Sequence, residues 1–228
     1  MNRDHPSLAV VIPTLDEEAA LRRNLPRVVP HADEVVVADG GSTDGTLAVA
    51  RELGARIVCG PAGRGGQLTR GARATDASVL LFLHADTVLP DDAFAQVRGA
   101  IAQGASGGGF RVRFDSDRAL LRFGSRLVNL RTRLFHLPLG DQAQFVARAV
   151  FDELGGFRDW PILEDLDFAR RLRRRGSTVV LPGPALTATR RFDEQGVVRT
   201  VATNWLIWSL FFAGVSPRRL ARLSRHVR

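Results

Sequence analysis

Five consecutive apolar residues at positions 79–83 stop abruptly at the polar group His84-Ala85-Asp86. An apolar run of this length is typical of a strand that is buried on both faces of a parallel sheet. Because open α/β sheets bind ligands at the carboxyl ends of their strands, His84 and Asp86 are predicted to lie at the mouth of a crevice. The alternative is that Asp86 only caps a helix that begins near Pro90.

Similar apolar runs alternate with helical stretches through the first half of the chain. Strands are predicted at 8–12, Glu34–Asp39 and Arg56–Cys59, and helices near 17–28, 45–53, 67–75 and 91–102. Alternation of this kind is typical of βαβ units. The sequence therefore predicts an α/β fold with a mostly parallel central sheet that is flanked by helices.

The remainder of the chain is less regular. The predicted elements are a strand at 106–114, an amphipathic helix at 118–135, a short strand within 139–146, a helix from Glu164 to about Arg175, strands near 178–181 and 185–190, and helices at 197–215 and 217–227. Because the apolar content suffices for one substantial core, a single domain is predicted over 1–196, followed by a helical tail at 197–228.

The composition excludes several classes of chemistry. All 32 basic residues are arginine, so Schiff-base catalysis and the lysine-dependent phosphate loop of P-loop proteins are excluded. Cys59 is the single cysteine, which excludes an intramolecular disulfide and a cysteine-based metal cage. Residues 1–7 are polar and do not resemble a signal peptide, so a cytoplasmic protein is expected.

The charge is divided unevenly along the chain. Residues 1–110 carry a net charge of −3, whereas residues 111–228 carry +11. A basic half favours an anionic partner, either a membrane surface or a nucleic acid. No nucleic-acid-binding motif accompanies this charge, and we expect no nucleic-acid partner.

The tail poses a separate question, because an apolar stretch from Trp205 to Ala213 is followed by several arginines. The stretch is short for a bilayer span, and an apolar helix with a basic successor fits a membrane surface. One interpretation is therefore that 197–228 docks on anionic lipid at the inner face of the plasma membrane. The alternative is a helix that packs on the core or on a second copy in a homodimer.

Two acidic residues end buried strands, Asp39 after the second strand and Asp86 after the fourth. The predicted fold brings them to one edge of the sheet, where they could hold ribose hydroxyls and a divalent cation. Mg²⁺ or Mn²⁺ needs only one or two carboxylates when substrate phosphates complete the coordination. The glycine-rich loop at 60–66, which contains Arg64, either lets backbone N–H groups approach phosphate or is a plain connector.

Asp39 and Asp86 belong to two of four motifs whose order along the chain resembles that of family 2 glycosyltransferases of the GT-A fold. The motifs are Val-Val-Ile-Pro-Thr-Leu-Asp-Glu-Glu at 10–18, Val-Val-Val-Ala-Asp-Gly-Gly-Ser-Thr-Asp-Gly-Thr at 35–46, His-Ala-Asp at 84–86, and Leu-Glu-Asp-Leu-Asp-Phe-Ala-Arg-Arg-Leu at 163–172. The resemblance covers roughly 8–191. It implies one Rossmann-like GT-A domain with a nucleotide half at about 1–105 and an acceptor half at about 106–196.

The resemblance also implies an activity, namely inverting transfer of a sugar from a nucleotide-sugar, expected to be a UDP-sugar. The acceptor would be a hydroxyl or a carboxyl group, and a lipid-like acceptor is a further expectation. Asp165 is implied as the catalytic base, and Glu164 beside it as a second catalytic residue. Nucleotide-binding roles are implied for Pro13, Thr14, Glu17, Asp39, Gly40, Arg64 and Asp86.

The metal motif departs from the family pattern, because His84 replaces the first acid of Asp-x-Asp. The resemblance still assigns Mn²⁺ or Mg²⁺ to Asp86, and His84 is a candidate second ligand. Asp16 is a second departure, since asparagine is common there. Gly140-Asp141-Gln142 resembles a bacterial subgroup linked by name to arsenosugar assembly and carotenoid-acid glycosylation, which implies that Asp141 and Gln142 lie on the acceptor side.

Two other functions are consistent with parts of the pattern. A nucleotidyltransferase would share the nucleotide-binding sheet, but it usually has a glycine-rich loop with a basic residue after the first strand, where this chain has Pro13-Thr14-Leu15-Asp16. An inactive nucleotide-sugar-binding or membrane-scaffold protein is the other alternative, and the replacement at His84 favours it.

Overall fold

Eight strands form one sheet in the computed structural model, which describes residues 5–189 and 196–225. The strands are β1 (Leu8–Thr14), β2 (Glu34–Asp39), β3 (Arg56–Cys59), β4 (Val79–Phe82), β5 (Thr87–Val88), β6 (Gly107–Phe114), β7 (Phe145–Ala147) and β8 (Thr178–Thr187). Their order across the sheet is β3-β2-β1-β4-β7-β6-β8-β5. The predicted α/β fold is confirmed.

The sheet is mixed, with a parallel half built from the four predicted apolar runs. β3, β2, β1 and β4 pair in parallel, so their carboxyl ends meet at one edge. β7 then pairs antiparallel to both β4 and β6, and β5 pairs antiparallel to β8. β6 and β8 pair in parallel, so parallel pairing predominates and the predicted mostly parallel central sheet is confirmed, with β7 and β5 as its antiparallel strands.

Helices flank the sheet and connect its strands. They are α1 (Glu18–Asn24), α2 (Thr46–Glu52), α3 (Arg64–Arg73), α4 (Ala93–Ala102), α5 (Ala119–Phe135), α6 (Arg148–Glu153), α7 (Glu164–Arg175), α8 (Val197–Phe212) and α9 (Pro217–Arg225). Two 3₁₀ turns, Leu25–Arg27 and Gly140–Gln142, complete the connections.

Two observed elements differ from the predicted ones, and a proline lies at each place. α1 ends at Asn24 and not near residue 28, because Pro26 lies in the following turn and cannot continue an α-helix. The two strands predicted after α7 are one strand, β8, whose register against β6 shifts between Leu181 and Pro184. The end of the predicted strand at residue 190 and the end of the predicted last helix at 226–227 lie outside the described residues.

The parallel strands are buried on both faces. Val10 and Ile12 of β1 pack in one hydrophobic cluster, whereas Ala9 and Val11 pack in another on the opposite face. β4 divides in the same way, and its Phe82 contacts an aromatic group formed by Phe151, Phe157 and Phe168. Continuous apolar runs thus mark strands with both faces covered, as the sequence predicts.

The tail helices pack on the domain. Ile207 of α8 and Leu220 of α9 lie in one cluster with Leu163 and Leu166 at the start of α7. This cluster connects the tail directly to the helix that carries Glu164 and Asp165. A bilayer-crossing helix is not found in the part of the chain that the structure describes.

Candidate active site

Asp39 at the end of β2 organises the loop that follows it. Its Oδ2 accepts hydrogen bonds from the backbone N–H of Gly41 and Ser42 at 2.7 and 2.9 Å, and its Oδ1 accepts one from the Thr14 hydroxyl at 3.1 Å. Burial raises the pKa of Asp39, but the bonds from Ser42, Gly41 and Thr14 outweigh it and hold the pKa below its ordinary value. The carboxylate is therefore ionised and fixed.

Asp16 connects the loop after β1 to the loop after β2. Its backbone has a φ of 54°, a region that Asp and Asn adopt more readily than most residues. Its carboxylate accepts a bond from the Thr43 N–H at 2.7 Å, and its own N–H donates to Ser42 Oγ at 2.9 Å. Glu17 adds a bond from its N–H to Thr46 Oγ1 at 2.8 Å. The two loops thus form one surface.

Gln67 anchors the start of α3 to this surface, and sequence reasoning did not identify it. Its Nε2 donates to the carbonyl oxygens of Thr14 and Ala38, both at 2.8 Å. Gly40 lies directly against it, since a Cβ added there would be 3.1 Å from Gln67 Nε2. The only available signal was its position one helical turn after Arg64. These bonds fix Arg64 relative to the ends of β1 and β2.

Arg64 is the centre of a charged cluster. Its guanidinium forms an ion pair with Glu164, lies 3.6 Å from Asp165 Oδ2 through Nη2, and lies 3.5 Å from His84 Nε2 through Nη1. Glu164 and Asp165 open α7 directly after Leu163, whose φ of 63° is unusual for a bulky side chain. Residues after β3, after β4 and at the start of α7 thus converge on one point.

Asp165 and Glu164 have opposite protonation tendencies. Burial raises the pKa of Asp165, but the Arg64 guanidinium and two backbone N–H groups hold it below its ordinary value. Those donors are Gly140, at 2.9 Å from Oδ2, and Leu166, at 2.8 Å from Oδ1. Burial raises the pKa of Glu164 in spite of its ion pair with the same arginine. Asp165 is therefore the carboxylate that stays ionised, which suits a proton acceptor.

His84 is neutral in this cluster. Burial and the Arg64 charge lower its pKa to about 4, although Asp86 and Asp165 act in the opposite direction. An imidazolium at this position would be a like charge 3.5 Å from the guanidinium. His84 thus contributes a hydrogen-bonding ring and no charge at neutral pH.

This assignment predicts a pH-dependent stability that His84→Gln removes. Between pH 6.5 and about 4 the unfolded chain binds a proton at His84 and the folded chain does not, so stability falls as the pH falls through this window. The expected loss is at most about 3 kcal/mol, and the variant should lack it. Urea denaturation across this pH range without divalent cations measures it, with His5→Gln as the exposed control. Parallel pH curves for the native protein and His84→Gln would contradict the assignment.

The 3₁₀ turn Gly140–Gln142 closes the cluster from the side of β6 and β7. A Cβ at Gly140 would lie 3.1 Å from both Asp165 Oδ2 and His84 Nε2, so only glycine fits without displacing one of them. Asp141 follows it, and burial raises the pKa of this carboxyl even though Arg131 and Arg64 oppose the shift. Its Oδ1 is buried without a hydrogen-bond partner among the described residues. The implied acceptor-side role of Asp141 remains a prediction.

Gln142 supports the turn from within the protein. Its Oε1 accepts bonds from Arg131 at 3.0 Å and from the Thr132 hydroxyl at 2.9 Å, and its Nε2 donates to the Phe110 carbonyl at 2.9 Å. The side chain is fully buried. Its amide therefore positions the loop that carries Asp141, and an acceptor-side role for it would act through that loop.

Asp86 interacts electrostatically with His84 and also lines an open pocket of about 690 Å³. The pocket is lined by the end of the β1–α1 loop, the first turns of α1, Asp44, Asp86 and Ala188, and its charged side chains are five acids and the two arginines Arg22 and Arg23. Within the described residues no three His, Cys, Asp or Glu side chains converge as metal ligands. A single carboxylate facing an acidic pocket fits a cation whose other ligands come from a substrate diphosphate.

The predicted site residues therefore lie in two adjoining groups. The first group contains Arg64, His84, Asp141, Glu164 and Asp165, and the second contains Pro13, Thr14, Glu17, Asp39, Gly40 and Asp86. Arg131 was missed. It interacts electrostatically with Asp141 and Asp165 and bonds to Gln142, and as one of five arginines at 118–133 it carried no distinguishing signal.

Comparison with sequence families gives one match that spans most of the chain. The profile of Glycosyl transferase family 2 matches residues 9–158. This range includes both nucleotide-side loops, Arg64, His84, Asp86 and the turn at Gly140–Gln142.

Curated relatives match a shorter part. Glucosyl-3-phosphoglycerate synthase of Mycobacterium tuberculosis is 32% identical over 101 residues, which is 39% of this chain and 31% of the relative. The synthase of Mycolicibacterium smegmatis is also 32% identical over 101 residues, covering 33% of that protein. The match thus spans about a third of the length of these relatives.

Solved structures share the fold. Staphylococcus aureus TarS (residues 1–349) has a TM-score of 0.64 at 16% identity, covering 94% of this chain and 68% of that one. The M. tuberculosis glucosyl-3-phosphoglycerate synthase, solved with Mn²⁺ and UDP-glucose, has a TM-score of 0.58 at 24% identity, covering 90% and 79%. At these identities the likeness establishes the GT-A architecture.

Proposed function

The chain belongs to Glycosyl transferase family 2, and from this premise we propose that it transfers a sugar from a UDP-sugar to a hydroxyl or carboxyl acceptor with inversion at the anomeric carbon. The observation that carries the proposal is the Asp165 carboxylate, which Arg64 and Gly140 hold ionised. Arg64 lies on α3, the helix that Gln67 anchors to the ends of β1 and β2. A fixed carboxylate next to a nucleotide-type loop surface is what such a transfer requires.

Asp165 is proposed as the general base. It accepts the proton of the acceptor O–H as the acceptor oxygen forms a bond to the anomeric carbon, while the bond from that carbon to the diphosphate oxygen breaks. The UDP group leaves from the opposite face, so the configuration inverts. Glu164 and Arg64 are positioning groups in this scheme, because Arg64 bridges both acids.

The donor is proposed to lie across the β1 and β2 loops, with its diphosphate near Asp86. Asp39, fixed by Thr14 and Ser42, is suited to accept hydrogen bonds from the nucleoside. Asp86 is proposed to hold Mn²⁺ or Mg²⁺, which when bound neutralises charge on the diphosphate leaving group. We assign no metal role to His84 here, because its Nε2 faces the Arg64 guanidinium. The UDP-glucose and Mn²⁺ complex of the mycobacterial synthase supports this choice of donor and cation.

The acceptor is proposed to bind on the side of Asp141. The raised pKa and unpartnered Oδ1 of Asp141 beside Asp165 support an acceptor-side polar group there. An apolar or lipid-linked acceptor, membrane contact by 197–228, a cytoplasmic location and membership of the arsenosugar and carotenoid-acid subgroup stay predictions. Exposed Trp205 and Phe212 on α8 support the membrane contact.

Calorimetric titration with UDP tests the donor and metal assignments together. We expect Mn²⁺ to strengthen UDP binding to the native protein, and we expect Asp86→Ala to abolish this dependence on Mn²⁺ because the variant lacks the protein carboxylate that holds the cation. Asp76→Ala is the matched control, since Asp76 is exposed near the other end of β4. UDP binding that ignores Mn²⁺ in the native protein would remove the metal from the proposal. A complete lack of UDP binding would refute the donor.

A further inference from the structure

Helix α5 exposes a continuous apolar stripe. Five large apolar side chains spaced three and four residues apart are each at least 50% exposed: Leu120, Phe123, Leu127, Leu130 and Leu134. We call this set the α5 stripe. Single exposed apolar residues are ordinary, but an aligned row along four turns of a helix normally covers, or is covered by, an apolar partner.

The stripe is a second apolar face, because α5 already has a core face. Leu121 and Val128 pack against Val112 and Phe114 of β6. Asn129 donates to the Val112 carbonyl at 2.9 Å and accepts from its N–H at 2.8 Å. These bonds fix the rotation of α5 about its axis, so the stripe cannot turn inward.

The arginines beside the α5 stripe indicate that its partner is negatively charged. Arg122, Arg126 and Arg133 are exposed on the adjacent side of the helix, and Ala119–Phe135 contains no acidic residue. Two copies joined through their stripes would bring these arginines together, and the helix itself supplies no acidic partner for them. An anionic lipid surface supplies the missing negative charge, and the long arginine stems can reach phosphate while the apolar row enters the acyl region.

Helix α8 extends the same surface. The Arg131 guanidinium of α5 lies 5.0 Å from the ring centre of Trp208 in α8. Val201, Trp205 and Phe212 share the side of α8 that carries Trp208, and all three are exposed. Tryptophan is enriched at membrane–water interfaces, so its presence beside the stripe agrees with lipid contact.

We propose that the α5 stripe docks on an anionic phospholipid bilayer, with α5 lying in the plane of the interface. Docking itself does not depend on sugar transfer. If the proposed function also holds, the consequence is that the acceptor is presented at the membrane, since α5 ends at Phe135 and the chain soon enters the turn beside Asp165.

Vesicle flotation of the full chain tests the proposal. We expect binding to phosphatidylcholine vesicles that contain phosphatidylglycerol and little binding to phosphatidylcholine alone. Arg122→Gln/Arg126→Gln should weaken binding roughly 30-fold, as expected for two charges at a surface, and Phe123→Ser/Leu127→Ser should weaken it at least as much. The matched control is Arg51→Gln/Arg73→Gln, which removes the same charge from exposed positions on α2 and α3.

The outcomes separate lipid docking from its alternatives. Because all the altered side chains are exposed, thermal unfolding should be unchanged and loss of binding should not reflect misfolding. Equal binding by the stripe variants and the control, or no binding by the native protein, would overturn the proposal. So would a native dimer, detected by light scattering, that becomes monomeric in Phe123→Ser/Leu127→Ser. UDP binding by calorimetry is independent of all these results and reports on the proposed function alone.

Discussion

Asp165→Asn is expected to lower the rate of sugar transfer by about 10²–10⁴-fold while leaving donor affinity nearly unchanged. The amide keeps the size of the side chain but cannot accept the acceptor proton. Gly140 and Leu166 each donate an N–H bond to one of the two carboxylate oxygens; the amide oxygen of the variant can keep one of these bonds, whereas its NH2 group cannot accept the other. UDP release from UDP-glucose, with water or the best acceptor from a screen, gives the rate, and UDP titration gives the affinity.

The control for this measurement is Asp152→Asn, which removes one exposed carboxylate from α6. It should leave both rate and affinity unchanged. Turnover of Asp165→Asn equal to that of the native protein would exclude Asp165 as the base. A parallel loss of UDP affinity would instead indicate that Asp165 supports the donor site through Arg64.

The pattern of apolar runs along the sequence predicted most of the fold. Both-face burial of β1 and β4 follows from uninterrupted apolar runs, and their parallel pairing places Thr14, Asp39 and the residues after Phe82 at one edge. The antiparallel position of β7 between β4 and β6 was not predictable in this way, because Phe145–Ala147 is too short to show a period. Long-range pairing, which the sequence does not display, decides it.

The site residues also separate into those that the local sequence indicates and those that only the three-dimensional structure reveals. Motif order pointed to Asp39, Asp86 and Asp165, each of which is visible locally as an acid after a strand or at a helix start. The sequence did not indicate Gln67 or Arg131, because both act on residues that are distant in the sequence. Gln67 bonds to Ala38, and Arg131 interacts with Asp141. Arg64 was expected at a phosphate, and its ion pair with Glu164, 100 residues away, could be seen only in three dimensions.

Arg64→Gln is expected to lower the transfer rate by about 10²–10³-fold, a loss typical of removing one preorganised charged donor from a site. Without the guanidinium, the pKa of Asp165 rises, because burial is no longer opposed by that charge. The acidic limb of the rate profile should therefore move to higher pH. The free energy of unfolding should fall by about 1–3 kcal/mol, because Glu164 is 1% exposed and loses its ion-pair partner. Solvent screening at Arg64, which is 40% exposed, keeps the loss below that of a fully buried pair.

Two further variants distinguish this role from a purely structural one. Arg64→Lys keeps the charge and should keep the position of the acidic limb, although one amine cannot reproduce the fork that reaches Glu164, Asp165 and His84 together. Arg73→Gln, at the exposed end of the same helix, should change nothing. If Arg64→Gln instead weakens UDP binding and leaves the pH profile of turnover in place, the arginine serves the donor phosphate, and its contact with Asp165 describes only the protein without substrate.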